Sequence, residues 1–110
     1  MSAAGHLAEF EVLVLLAVLR CGVRAYGPSI KDEIAKRTGR PVSRGAVYVT
    51  LERLERKGVL TSKMGEPTAM RGGRAKRFFK VTPAGLKALR VSLSDLSRMR
   101  EGLEPVLGDA

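Results

Sequence analysis

Between Leu7 and Cys21 the apolar positions Leu7, Phe10, Val14, Ala17 and Cys21 recur at helical spacing, and Leu13 and Leu16 widen the stripe. The pattern predicts a first helix, apolar on most sides and central to the core, with Gly22 as its stop. In AYGPSIKDEIAKRTGR the apolar positions thin to Ile30, Ile34 and Ala35. Gly27 as a cap, Pro28 in the first turn, acids early and cations late predict a short amphipathic second helix. Gly39 ends it, and Arg40-Pro41 forbids continuation. A third helix is expected over 43–57 in SRGAVYVTLERLERKG, with Ser43 as N-cap and Val47, Leu51 and Leu54 at i, i+4 and i+7. Its other face carries Arg44, Gly45, Val49, Glu52, Arg53 and Arg56, which leaves that side free to meet a partner.

After Gly58 the period changes. Val59 to Ser62 reads as a strand, Gly65, Pro67, Gly72 and Gly73 mark a long turn, and Lys76 to Val81 reads as a return strand. Thr82 followed by Pro83 then opens a last helix by cap-then-proline logic. There Leu86, Leu89, Leu93, Leu96 and Leu103 fall on an a/d seam, interrupted by Arg100. Such a seam pairs either with another subunit or with the helix's own core. The predicted fold class is mostly α with a small β hairpin, in the order of a winged helix-turn-helix: one domain over 1–110, with the winged helix at 7–82 and a C-terminal dimerisation helix at 83–103.

Composition sharpens this picture in one respect. The net charge is +9, and residues 56–80 hold eight cations against one acid, whereas 81–110 hold four of each. A field concentrated in the hairpin favours a polyanionic partner, nucleic acid or an anionic membrane face. Membrane insertion is not expected, since the run Val12 to Leu19 stops at Arg20, far short of the ~20 residues a span needs. The lone Cys21 excludes an internal disulfide framework, favours a cytoplasmic home and suggests a buried small hydrophobe.

Catalytic chemistry finds no footing. Gly65 and Gly72 are wrongly spaced for a phosphate loop, and Gly73 is followed by Arg74 and Ala75 rather than Lys and Ser or Thr. One His and one Cys make no zinc site. Asp32 and Glu33 are adjacent on a helix, so their side chains diverge by about 100°. Neither an enzyme nor a bound cofactor or metal is expected.

The linked stretches SRGAVYVTLERLERKGVL, GEP and GGRAKRFFKVTPAG, with Tyr26-Gly27 ahead of the second helix, resemble the PadR-type transcriptional regulators over nearly the whole chain, from about Phe10 to Leu96. The resemblance implies a homodimeric repressor whose third helix enters the major groove of double-stranded DNA, whose wing (59–81) contacts DNA and whose C-terminal helix dimerises. It matches the short, single-domain subfamily. Some short relatives hold flat aromatic drugs at the dimer interface with a Trp; this chain has none, and an effector stays unknown.

The expected DNA-binding residues are Tyr26, Ser43, Arg44, Gly45, Tyr48, Val49, Arg53, Arg71, Arg74, Lys76 and Arg77. Arg44 suits either a bidentate contact to guanine or a phosphate. Ser43 is first a cap, and Gly45 allows close backbone approach. Tyr48 either turns its hydroxyl towards phosphate or fills the core. Val49 and Thr50 suit a thymine methyl or a phosphate. Phe78 and Phe79 point to opposite faces of a regular strand, at least one into the core. The alternative function is a winged-helix module for RNA or a protein partner.

Overall fold

The computed structural model describes residues 6–66 and 75–108. The expected wing-tip contacts Arg71 and Arg74 lie outside the described residues.

Helix α1 (Glu9–Cys21) buries Glu11, Val12, Val14, Leu15, Ala17 and Val18. Its buried face thus centres on Leu15, while Leu7, Phe10, Leu16 and Cys21 pack half-buried at the edge of the core. The cause is its central place: α2, α3, α4 and the hairpin all pack on α1, so no single stripe marks its inside. Cys21 is half-buried rather than sealed in the core. Gly22 ends α1 at φ 59°, and a 3-10 turn (Gly22–Arg24) follows.

Helix α2 (Gly27–Thr38) is capped by Tyr26, not Gly27. The Ser29 hydroxyl accepts from the Tyr26 amide at 3.1 Å and donates to the Arg24 carbonyl at 2.6 Å, which fixes the chain's approach to the helix. Gly39 closes α2 at φ 71°, a conformation that Gly adopts without steric cost. Helix α3 (Arg44–Arg56) begins where the sequence pattern places it. The Ser43 hydroxyl accepts from the Ala46 amide at 3.0 Å.

Strands β1 (Leu60–Met64) and β2 (Arg77–Val81) pair antiparallel, with Leu60 opposite Val81 and Met64 opposite Arg77. Leu60, Phe79 and Val81 face the core, which settles Phe79 as the inward phenylalanine; Phe78 is half-buried on the outer face. The Phe79 amide also donates to the Ala25 carbonyl at 2.8 Å, tying the segment before α2 to the edge of the hairpin.

Helix α4 (Pro83–Arg100) starts on Thr82, whose hydroxyl accepts from the Gly85 amide at 3.0 Å and donates to the Gly58 carbonyl at 2.7 Å. The helix stops at Arg100, so Leu103 lies past a turn at Gly102, ahead of the short α5 (Glu104–Leu107). Leu103 therefore does not continue the heptad seam on the same helix. The radius of gyration is 15.8 Å, against about 13 Å for a compact domain of this length. The excess reflects α4, whose ~27 Å leaves the core after its first turns: Ala88 and Leu89 are buried, Leu93, Leu96 and Met99 exposed.

Candidate nucleic-acid interface

At about 100° per residue, α3 turns Val47, Thr50, Leu51 and Leu54 inward. Gly45, Val49, Glu52 and Arg56 share the opposite arc, and Arg44 and Tyr48 lie at its edge on the side towards α2, all exposed. Thr50 is 5 % exposed, so it packs in the core and reaches neither a thymine methyl nor a phosphate. Its hydroxyl hid it from the apolar count.

Tyr48 lies over the start of α2. The place a Cβ on Gly27 would take is filled by the hydroxyl end of the Tyr48 ring. Only Gly permits this approach. The ring, 37 % exposed, in turn carries Arg44, whose guanidinium carbon is 5.7 Å from the ring centroid, within cation–π range. Gly27, Pro28, Lys31, Asp32, Arg44, Val47 and Tyr48 line a cleft of about 240 Å³ between the two helices. Tyr48 thus neither fills the core nor projects freely; it is a seat for Arg44.

The other expected contacts are spread around this centre. Arg53 sits at the edge of the exposed arc on the same side as Lys57, where its charge helps hold the Glu11 carboxyl below the ordinary range. Tyr26, half-buried, holds its ring 5.8 Å from Phe78 and under Lys76, whose Nζ is 4.7 Å from the ring centroid. Arg77 is on the core-side face of the hairpin and turns towards α3, with Nη1 3.8 Å from Glu55 and 3.3 Å from the Ser62 hydroxyl. These three therefore brace the loop end of the hairpin as well as adding charge to it.

The sequence pattern missed the support behind α3. Glu11 is 2 % exposed, and both its oxygens accept from Lys57 Nζ at 2.9 Å, while Oε1 also accepts from the Ala8 amide at 2.8 Å. Burial alone would raise its pKa. The Lys57 bond, the Ala8 amide and the charges of Lys57 and Arg53 outweigh that and hold it below the ordinary carboxylate value. A Glu three residues after the cap residue Ala8 was the available signal, but its distant partner was not legible.

A three-helix unit with a two-stranded wing and a cationic, solvent-facing third helix defines the winged helix-turn-helix class. Residues 15–91 match the transcriptional regulator PadR-like family. The chain is 40 % identical over 76 residues to the transcriptional regulator Rv3488 of Mycobacterium tuberculosis, covering 66 % of each protein, slightly under two thirds of that relative's length. Its fold is similar to that of a PadR family transcription regulator from Clostridium difficile, with a TM-score of 0.74 at 21 % identity over 92 % of this chain and 100 % of that one. It is also similar to a PadR family regulator from Eggerthella lenta, with a TM-score of 0.68 at 24 % identity over 93 % and 88 % of the two chains. The protein belongs to the PadR-like family of transcriptional regulators, which are DNA-binding proteins and not enzymes.

Proposed function

We propose that the protein is a cytoplasmic transcriptional repressor that binds an inverted-repeat operator in double-stranded DNA as a homodimer. The observation that carries this reading is the exposed arc of α3, with Arg44 seated on Tyr48 at the end nearest the positive N-terminus of the helix. Thirteen residues give about 20 Å of helix, a length that lies along a major groove with its N-terminal residues nearest the base edges. Arg44 then reads a base or holds a phosphate. The basic wing, with Lys76 at the loop end of its ladder and Arg71 and Arg74 in its sequence, adds backbone contacts.

Dimerisation falls to the distal part of α4. Leu93, Leu96 and Met99 are 41 %, 57 % and 76 % exposed, and an apolar run of this kind calls for a cover; Leu86, in the first turn, sits at its near end. Leu89, at 3 % exposed, already belongs to the protein's own core. The seam is thus divided: Leu89 folds inward, and the stripe beyond it pairs with the same stripe of a second copy.

A mobility-shift titration over a salt series tests the DNA reading. Arg44→Ala is expected to lose about 1–3 kcal/mol at one operator position, and Arg74→Ala to weaken binding to every sequence with a salt slope lower by about one unit. Equal affinity for structured RNA and duplex DNA would instead support an RNA-binding module. Unchanged affinity and slope in both variants would overturn the interface.

A further inference from the structure

The most outward-facing side of α3 carries an acid. At about 100° per residue, Gly45, Val49, Glu52 and Arg56 fall within about 60° of one another, across the helix from the buried Val47, Thr50, Leu51 and Leu54. The other glutamates of the three helices are engaged: Glu9 meets Arg40, Glu11 meets Lys57, Glu33 meets Arg20 and Arg37, and Glu55 faces Arg77. Glu52 is exposed and makes no ion pair among the described residues, although Arg56 follows it by one turn on the same arc. Its carboxylate contributes nothing visible to the fold. Against a polyanion it is a liability, because like charges repel and sequence-independent binding to DNA is electrostatic. Only a hydrogen-bond donor placed to meet it offsets that cost.

We propose, resting on the operator reading above, that Glu52 is a specificity-determining residue which accepts a hydrogen bond from the N4 amine of a cytosine in the major groove. The groove offers two amine donors, cytosine N4 and adenine N6. The adenine amine stands beside N7, an acceptor that repels a carboxylate, whereas the cytosine edge carries no acceptor of its own. The acid therefore selects cytosine. Glu52 lies about 12 Å along the helix axis from Arg44, against about 3.4 Å of rise per base step, so the two side chains address different base pairs. At any other base the carboxylate gives up water and gains no partner. Glu52 thus acts chiefly by rejecting wrong sequences, and it lowers the affinity for non-operator DNA that the basic wing raises.

The test is selection from a duplex library with a randomised core, carried out with the native chain, Glu52→Gln and Glu52→Ala. The native chain should enrich a cytosine in each half-site. Glu52→Gln should exchange it for adenine, whose N6 and N7 suit an amide, and Glu52→Ala should be indifferent there. Replacing that cytosine with 2-pyrimidinone, which lacks only the amine, should weaken the native chain about fivefold or more and leave Glu52→Ala within about twofold. On a scrambled duplex both variants should bind more tightly than the native chain, a gain that a damaged fold does not produce. Because Glu52 is exposed, thermal melting reports separately that the variants fold. A native motif kept by both variants, or an equal loss on operator and scrambled duplex, would overturn this role for Glu52 and leave the operator reading standing. A library in which the native chain enriches no motif would overturn both.

Discussion

Glu11 and Lys57 are separated by most of the reading head, yet their contact sets how α3 is held from behind. The carboxyl is buried and its pKa lies below the ordinary value of 4.5. A folded value below the unfolded one means the stabilisation is fully present above about pH 4.5 and is lost as pH falls through the lowered folded value. Urea melts from pH 7 to 3 should show that loss in the native chain. Lys57→Met strands a buried carboxylate, which costs about 3–5 kcal/mol at pH 7. In this variant burial acts with less opposition, the Glu11 pKa rises, and the acid-side loss of stability shrinks; an unchanged pH profile would mean that the pair does not set it. Gly27 poses the same kind of question at the proposed DNA face. In Gly27→Ala the new methyl meets the end of the Tyr48 ring, which must swing away and take the seat of Arg44 with it. Operator affinity should fall at least tenfold, while Tyr48→Phe, which keeps the ring face, should hold within about threefold. Titration of both variants on one labelled operator decides it.

At the scale of elements, caps carried most of the information that was legible in the sequence. Ser43 and Thr82 start α3 and α4 with their side chains bonded as their positions predict, because a cap is a local bond between residues three apart. Ser43→Ala should cost about 1 kcal/mol in chemical denaturation, and Ser43→Asp should restore it. Strand ends were less legible: β1 begins at Leu60 and β2 at Arg77, each one residue inside the expected start, since pairing register, not propensity, decides where a ladder opens. Identities that depend on distant neighbours were least legible. Thr50 is polar by type but buried by geometry, and Leu89 lies on a heptad seam yet is claimed by the core. Gly85 belongs with them. A Cβ there would press on the Val59 carbonyl and come within 2.8 Å of Val81 Cγ1. Because the first obstacle is backbone, Gly85→Ala should destabilise by about 1–3 kcal/mol, measured as a lower denaturation midpoint at unchanged slope.

For the whole molecule, the divided seam of α4 makes a prediction that separates folding from assembly. Leu93→Lys/Leu96→Lys changes only exposed positions, so the thermal transition of dilute protein should hold while sedimentation at low micromolar concentration shifts to the monomer. Leu89→Lys should instead unfold the chain, because it places a charge in the core. A double variant that stays dimeric would move the interface elsewhere. Among the described residues no helix is long and apolar enough to cross a membrane. The Ala25–Phe79 bond has a further consequence. It fastens the start of the helix-turn-helix to the wing, so the two parts proposed to reach DNA form a fixed caliper. A caliper measures distance. Inserting one base pair, about 3.4 Å of rise, between the footprint of α3 and that of the wing should cost as much affinity as deleting the wing's contacts, even with every contacted base intact. The operator would then be constrained by the spacing of its features as well as by their identity, and the backbone between Arg24 and Tyr26, which touches no base, would be the part that sets the ruler.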